Sequence, residues 1–211
     1  MQKIVITYTA VGLLILLLLL AFSNEIQAAD ESFFVKLDKE NCITKLNVTT
    51  KQTQIIYHSD KWRTHNITVS PNNRYIAFIE ETKFECTRDG LYKVAPQRSL
   101  VIIDSSGKVD RRIDDIDVKK YVWSPDGEKI AFLTFKPCDC DYKYKYPTGA
   151  WVYDMNTSEV IKIKDRARGI NWAVFDSAVY LYSRDRDGEQ VVRWDPVSQR
   201  LDSTVYKDIY F

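Results

Sequence analysis

The stretch WSPDGEKIAF, residues 123–132, decides the fold of this chain. Its Ser-Pro-Asp-Gly segment is typical of a tight turn, and the apolar run that follows is typical of a buried strand. Similar stretches occur about 54 positions earlier, VSPNNRYIAF at residues 69–78, and about 49 positions later, WAVFDSAVYL at residues 172–181. This recurrence predicts a repeat whose unit is a strand, a tight turn and a second strand.

A second kind of hairpin alternates with the first. It occurs as VIIDSSGKV at residues 101–109, WVYDMNTSEV at 151–160 and VVRWDPVS at 191–198, with a weaker copy, TKLNVTT, at 44–50. In each copy a strand ends at Asp or Asn, whose side chain accepts hydrogen bonds from turn amides about two residues further on. Two alternating hairpins with a period of roughly 41–57 residues predict four-stranded sheets.

Beyond residue 30 the chain consists of short apolar runs separated by turn signals, and no stretch keeps a 3.6-residue period over three turns. We therefore expect an all-β fold. The predicted strands lie at residues 33–35, 43–48, 53–57, 75–79, 100–103, 121–123, 129–135, 151–153, 160–163, 179–182, 191–194 and 203–206.

The run at residues 129–135 has apolar side chains on both faces of a strand, because Ile130 and Phe132 alternate with Ala131 and Leu133. Both faces then need cover, which radially stacked sheets supply and a sheet with one solvated face does not. The pattern favours the blades of a β-propeller. A Greek-key sandwich is the alternative architecture.

The residues at 124–132 resemble the repeat signature of the TolB-type, WD40-like propellers, which also occur in enzymes of the prolyl-oligopeptidase family. The segment SRDRDG at 183–188, followed by VVRWD at 191–195, resembles the second half of that signature. The resemblance implies a propeller, but TolB-like propellers usually have six blades and this chain has room for about four. We therefore expect a small or partial propeller. The resemblance covers the propeller repeats and does not extend to TolB's separate N-terminal domain or to the peptidases' hydrolase domain, and no Gly-x-Ser-x-Gly motif occurs in the sequence.

The N-terminal segment predicts export. Residues 4–22 form an uncharged run long enough, as an apolar helix, to cross the hydrocarbon core of a bilayer. Small residues near positions 21–28 fit signal-peptidase cleavage, whereas the length of the run fits a retained anchor, and both alternatives stay open. We expect residues 1–23 to be a signal peptide or membrane anchor, 24–30 a linker and 31–211 the propeller domain. The domain would lie outside the membrane, anchored to it if uncleaved, or be periplasmic or secreted after cleavage.

The cysteines all fall in the exported part, where an oxidising compartment favours disulfides. Two bridges fit the even count, and three connectivities are open, of which a Cys138–Cys140 bridge is the most strained. A metal held by thiolates is a weaker interpretation, because Cys-x-Cys is tighter than the usual spacing and His is scarce, and free thiols are the third. The disulfide candidates are Cys42, Cys86, Cys138 and Cys140.

The longest interruption between matched strands, residues 136–147, is the predicted partner-binding site, because long loops on a rigid scaffold concentrate contact residues. Residues 84–96 form the second large departure from the repeat. The alternative is that both are solvated insertions held by the cysteines. The candidate contact residues are Lys136, Asp139, Asp141, Tyr142, Lys143, Tyr144 and Tyr146.

Charge and motif content limit the function. Without residues 1–23 the chain carries 29 basic and 29 acidic side chains, since only Lys3 is lost, and this neutrality argues against binding nucleic acid. The acidic residues near 185–189 resemble a calcium loop, but a plain hairpin turn fits them better. The mixed-charge stretch 110–120 is expected to be a solvated connector. The two histidines, His58 and His65, lie at no recognised catalytic spacing.

These observations favour an exported, non-catalytic binding module that recruits a protein or envelope ligand through the long-loop face of a propeller. We expect it to need no metal and no cofactor. One alternative is a small hydrolase or lyase with carboxylates at the propeller axis. Another is a half-propeller completed by a second chain, such as a second copy, because unpaired strand edges invite pairing.

Overall fold

The computed structural model describes residues 33–88, 91–114, 117–135, 147–185 and 188–202, and for 84–96, 147–148 and 184–189 it describes the backbone only. Residues 1–32 and 203–211 fall outside this range, so the expected N-terminal helix and the strand predicted at 203–206 do too. Among the residues described, there is no helix of the length and apolarity that a membrane span requires.

The described part of the chain is built from strands alone, which confirms the all-β prediction. The strands are β1 Phe33–Leu37, β2 Cys42–Asn47, β3 Thr53–His58, β4 Arg63–Val69, β5 Tyr75–Arg88, β6 Leu91–Asp104, β7 Val109–Ile113, β8 Asp117–Trp123, β9 Lys129–Phe135, β10 Pro147–Asp154, β11 Val160–Lys164, β12 Ala167–Trp172, β13 Val179–Asp185, β14 Gly188–Asp195 and β15 Arg200–Asp202.

These strands form four antiparallel sheets in which neighbours in sequence are neighbours in space. Sheet 1 contains β1 to β3, sheet 2 contains β4 to β7, sheet 3 contains β8 to β11 and sheet 4 contains β12 to β15. The repeated stretches at residues 69–78, 123–132 and 172–181 span the first and second strands of sheets 2, 3 and 4. The sheets therefore match propeller blades in size and strand order.

The chain divides into two units by its contacts. The first unit comprises residues 1–34 and 46–53. Its described part includes the turn after Asn47. In this turn the backbone amides of Thr49 and Thr50 donate hydrogen bonds to Asn47 Oδ1 at 2.9 and 2.8 Å. The second comprises residues 35–45 and 54–211 and contains sheets 2, 3 and 4 entire.

Sheet 3 is buried on both faces. The sequence predicted this burial, and the choice of a propeller over a sandwich depends on it. Ile130 and Phe132 belong to a core shared with sheet 2, and Ala131 and Leu133 belong to a second core shared with sheet 4. The Ile76, Ile130 and Val179 segments thus lie in three successive sheets. They do not lie in the two face-to-face layers of a sandwich, so that alternative is wrong.

A buried tyrosine joins sheet 3 to sheet 2 at their first strands. The hydroxyl of Tyr121 in β8 lies 2.7 Å from the Ala77 carbonyl oxygen, contacts the Asn66 carbonyl and accepts a hydrogen bond from Thr68 Oγ1 at 3.1 Å. Trp123 Nε1 donates to the same Thr68 hydroxyl at 3.0 Å. Burial raises the pKa of Tyr121. The pairing of β4 with β5 is bulged between His65 and Thr68, the part of β4 that Tyr121 contacts.

Four strands were missing from the sequence prediction, namely β4, β7, β12 and β15. The expectation that residues 110–120 form a solvated connector is wrong, because β7 and the start of β8 lie there and Asp117 is buried. The missed strands carry Arg, Asp and Asn at positions that ion pairs or solvent accommodate. A pattern search based on apolar runs therefore passes over them.

The polar turn of the repeat is held by its serine. Ser124 Oγ accepts a hydrogen bond from the Lys129 amide at 2.8 Å and donates one to Asp126 Oδ1 at 2.5 Å. Ser70 makes the same pair of bonds in sheet 2, with the Tyr75 amide at 2.9 Å and Asn72 Oδ1 at 2.7 Å. The turn therefore has one structure in both copies.

Replacing Ser124 by alanine should destabilise the full chain by about 1–3 kcal/mol, because the buried hydroxyl closes the turn through two hydrogen bonds. Urea unfolding at neutral pH measures the change. Ser105→Ala, in the β6–β7 turn with a half-buried side chain, is the matched control and should change stability by less than about 0.5 kcal/mol. Equal effects of the two substitutions would contradict this role of Ser124.

Candidate functional site

The most distinctive feature of the described chain is the length of the β5–β6 hairpin. Each strand has 14 residues, and their pairing runs without interruption from Tyr75 opposite Asp104 to Arg88 opposite Leu91. The expectation that residues 84–96 form a long loop is therefore wrong. The segment continues the hairpin as a ribbon.

The ribbon extends beyond the rest of sheet 2. In the described residues β4 pairs with β5 only as far as Glu81, and β7 pairs with β6 only from Leu100 onward. From residue 82 to residue 88 and back from 91 to 99, the hairpin is two strands wide. At about 3.3 Å per residue, the projecting part of β5 is about 23 Å long.

Two adjacent carboxylates stand at the base of the ribbon, and both are buried. Glu80 is 1% exposed and Glu81 is 5% exposed. Because neighbouring residues of a strand point to opposite faces, the two carboxylates face different sheets. Glu80 faces Tyr57 of sheet 1, and Glu81 faces Asp117 and Arg98 at the boundary with sheet 3.

The Glu80 carboxylate is bound by two partners. Tyr57 donates its hydroxyl proton to Glu80 Oε1 at 2.9 Å, and Arg112 donates to Oε2 at 2.5 Å. Arg112 also donates to the Tyr57 hydroxyl oxygen at 3.1 Å. Burial, together with the Glu80 charge, raises the pKa of Tyr57 to about 12. The tyrosine therefore stays protonated and keeps donating across the physiological pH range.

The Glu81 carboxylate lies in a second network. Arg98 Nε donates to Glu81 Oε1 at 2.8 Å, and His65 Nε2 lies 3.2 Å from the same oxygen. Arg98 also lies 3.6 Å from Asp117, which accepts a hydrogen bond from the Arg98 amide. Burial alone would raise the pKa of Glu81, but the bond to Arg98 and the Arg98 charge hold it below its ordinary value.

The arrangement fixes the base of the ribbon to the sheets on either side of it. A buried charge that loses its partner is costly, so each pair resists separation of the elements that carry it. The pairs connect β4, β5, β6 and β8 in one network and β3, β5 and β7 in the other. The ribbon thus projects from a rigid base.

Substituting Glu81 by glutamine should cost about 2 kcal/mol at pH 7, because a charge-assisted bond to Arg98 is lost. The substitution should also make the free energy of unfolding depend less strongly on pH in the acid range. A carboxyl whose pKa is lowered in the folded state stabilises the fold above its unfolded pKa of about 4.5, and this contribution disappears as the pH falls through the lower, folded value.

The measurement is the urea midpoint of the full chain between about pH 7 and pH 3. The wild type should lose more stability than Glu81→Gln below about pH 5. Glu159→Gln, which removes an exposed carboxylate, should follow the wild-type curve. Parallel curves for wild type and Glu81→Gln would show that Glu81 contributes nothing through its charge.

The predicted contact residues fall outside the described part of the chain. Residues 136–146 join β9 to β10, which are the second and third strands of sheet 3, as the ribbon joins the second and third strands of sheet 2. Their role stays a prediction. The residues concerned are Lys136, Asp139, Asp141, Tyr142, Lys143, Tyr144 and Tyr146.

The cysteine pairing also stays a prediction. Cys42 is the first residue of β2, and its buried thiol lies 3.9 Å from the Glu40 carbonyl oxygen and forms no disulfide with any residue whose side chain the structure describes. The backbone of Cys86 lies in the ribbon, opposite Lys93. Cys138 and Cys140, and the side chain of Cys86, lie outside the described residues.

The acidic residues near 185–189 are those that resemble a calcium loop in the sequence. The backbone there forms a hairpin, with Asp185 opposite Gly188, and its side chains are not among those described. Within the described ranges, no group of three or more His, Cys, Asp or Glu side chains is arranged to hold a metal ion.

The comparisons with known proteins agree on the fold. The acylaminoacyl peptidase of Pyrococcus horikoshii aligns at a TM-score of 0.54 and 11% identity over 77% of this chain and 28% of the peptidase. TolB from Acinetobacter baumannii aligns at 0.48 and 15% identity, over 83% and 41% of the two chains. The β-propeller domain of the Trilobed protease from Pyrococcus furiosus aligns at 0.43 and 20% identity, over 66% and 40%.

At these identities the likeness concerns the fold alone. The chain has a propeller-like fold, similar to that of the acylaminoacyl peptidases, and the resemblance noted in the sequence is confirmed at the level of the fold. The chain spans less than half the length of each of these three structures. No protein-family model and no curated protein sequence matches it.

Proposed function

We propose that this chain is an exported, non-catalytic binding module that recruits a protein or cell-envelope ligand through the long-loop face of a propeller, by means of the ribbon and residues 136–146. The observation that carries the proposal is the projecting β5–β6 hairpin. A two-stranded ribbon offers backbone donors and acceptors along its outer edges, to which a partner strand adds by hydrogen bonding.

Rigidity at the base supports the same conclusion. The Glu80 and Glu81 networks hold the ribbon where it leaves the sheet, so a partner meets a preorganised surface and binding costs little ordering entropy. Recognition by a rigid scaffold with projecting elements is how loop-bearing β folds commonly bind.

The remaining parts of the proposal come from the sequence. We propose a small or partial propeller of about four blades, preceded by an apolar helix at residues 4–22 that directs export. The domain then lies outside the membrane, anchored by that helix or released by cleavage. The partner is a protein or an envelope component, with no metal or cofactor required.

The test is affinity capture from the native envelope with the full chain. Thr82 and Gln97 are opposite each other in the hairpin, so a two-residue Asn-Gly turn joining them removes residues 83–96 and preserves the pairing of sheet 2. Recovery of the partner should fall at least tenfold. Lys108→Ser, in the exposed turn at the opposite end of β6, is the control and should capture as the wild type does.

A third variant, with residues 136–147 replaced by a short Gly-Ser turn, separates the two parts of the surface. If the variant with the shortened hairpin and the variant with the replaced loop both capture the same proteins as the wild type, the chain does not bind its partner through the ribbon or through residues 136–147. Circular dichroism and urea unfolding are used before capture to check that each variant is folded.

A catalytic role is the second candidate, and the His65–Glu81 contact is the observation that favours it. A histidine held by a carboxylate at 3.2 Å is a common general base in hydrolases and lyases. The Arg98 and Asp117 contacts also give this pair a structural role, because they bind the carboxylate into a satisfied ion network. Hydrolysis of ester, peptide or glycoside substrates that is abolished by His65→Gln and retained by His58→Gln would establish the enzyme.

A further inference from the structure

The strand β13 differs from its equivalents in how its side chains are buried. In β5 and β9, four consecutive side chains at residues 76–79 and 130–133 are all buried, because a sheet covers each face. In β13, Val179 and Leu181 are buried against sheet 3, but Tyr180 and Tyr182 on the opposite face are only half-buried. One face of sheet 4 is therefore more accessible than the corresponding faces of sheets 2 and 3.

This face carries most of the lining of an aromatic groove, which we call the sheet 4 groove and which Lys120 of sheet 3 also lines. Its volume is about 710 Å³, and its apolar wall includes Phe175, Tyr180, Tyr182 and Val191. The Phe175 ring lies 6.2 Å from the Tyr180 ring and is 84% exposed. A cluster of this kind is costly to leave in water and is typical of an interaction surface.

The position of Phe175 in the repeat indicates what the groove contacts. Phe175 aligns with Asn72 in sheet 2 and with Asp126 in sheet 3. Asn72 meets the next sheet: its Nδ2 donates to Glu128 Oε1 at 3.0 Å, and a Cβ atom added to Gly127 would lie 2.6 Å from its side chain. Phe175 thus occupies the position at which, in sheet 2, the turn meets the next sheet.

We propose that the sheet 4 groove is the docking surface for a second copy of this chain, which continues the stack of sheets. Sheet 3 packs on sheet 2 with one face and on sheet 4 with the other, and these three sheets are copies of the same repeat. The groove lies at the next face in this series. A second copy supplies further sheets of that repeat. The apolar Phe175 in place of a polar Asn or Asp suits a contact between chains, which must gain its free energy from burial.

Charge is compatible with this self-association. Residues 24–211 carry equal numbers of basic and acidic side chains, so two copies experience no net repulsion as they approach. The inference does not depend on the ribbon, which lies on sheet 2. Loss of partner capture by the shortened hairpin and loss of self-association by a groove variant are therefore separate outcomes.

Photo-crosslinking of the full chain in detergent micelles tests the proposal. Equal amounts of ¹⁴N- and ¹⁵N-labelled Phe175→p-benzoylphenylalanine chain are mixed, irradiated and analysed by mass spectrometry. We expect a crosslinked species of twice the chain mass, about half of it of mixed isotope. Val197→p-benzoylphenylalanine, 93% exposed in the β14–β15 turn, should give less than a tenth of that yield.

The remaining outcomes would overturn the proposal. Crosslinks from position 175 only within one chain would show that the chain itself covers the groove, and crosslinks only to another protein of the envelope would identify a different occupant. The same experiment in native membranes detects that second case. Equal yields from positions 175 and 197 would show unspecific contact.

Sedimentation of full-length variants in detergent gives an independent measurement. Phe175→Ser should raise the dimer dissociation constant at least tenfold, whereas Val197→Ser, which removes an apolar side chain of similar exposure outside the groove, should leave it unchanged. A wild type that stays monomeric at every concentration would contradict the proposal. Association through residues 4–22 alone would also contradict it, because both variants would then dimerise as the wild type does.

Discussion

Strand β9 is apolar on both faces, and the need to cover both faces shapes the rest of the structure. Burying a side chain such as Ile130, Phe132 or Leu133 contributes about 1.5–3 kcal/mol, so a fold that exposed either face would lose several such contributions. Sheet 2 covers one face and sheet 4 covers the other. Successive stacking of sheets is the simplest solution for a chain that repeats this strand.

Polar groups in the stack are placed where hydrogen bonds satisfy them. Tyr121 is buried between sheets 2 and 3 but reaches backbone carbonyls through its hydroxyl. Glu80 and Glu81 are buried where the ribbon leaves sheet 2, and each is matched by an arginine. Charge pairs at this point orient a projecting element better than apolar contacts, because they are directional and costly to break.

The turns and inner strands could be predicted because their signals are local. The Asp or Asn that ends a strand does bond the turn amides, as Asp104, Asp154 and Asp195 show. The Ser-Pro-Asp-Gly turn and the apolar run after it have the expected structure. Strand β7, with the sequence VDRRI, could not be found in this way because its apolar content is too low.

The ribbon and the ion networks escaped prediction for a different reason. Pairing between residues 84 and 95 continues the backbone hydrogen bonds of the sheet, and its local signals, the Asp89-Gly90 dipeptide typical of hairpin turns and the alternation of Phe84 and Cys86 with polar residues, were passed over. Glu81 meets Arg98 and lies in one network with Asp117, and residues so far apart in sequence have no local signal that connects them. For the ion networks, the adjacent pair Glu80-Glu81 directly after a buried run was a local hint.

The central claim is that the two faces of β9 contact two different sheets. Methyl and aromatic NOEs from the full chain in detergent test it most directly. The account predicts NOEs from Ile130 and Phe132 to residues of sheet 2, such as Leu100, and from Leu133 to residues of sheet 4, such as Leu181. NOEs that connect both sets of side chains to one and the same sheet would contradict it.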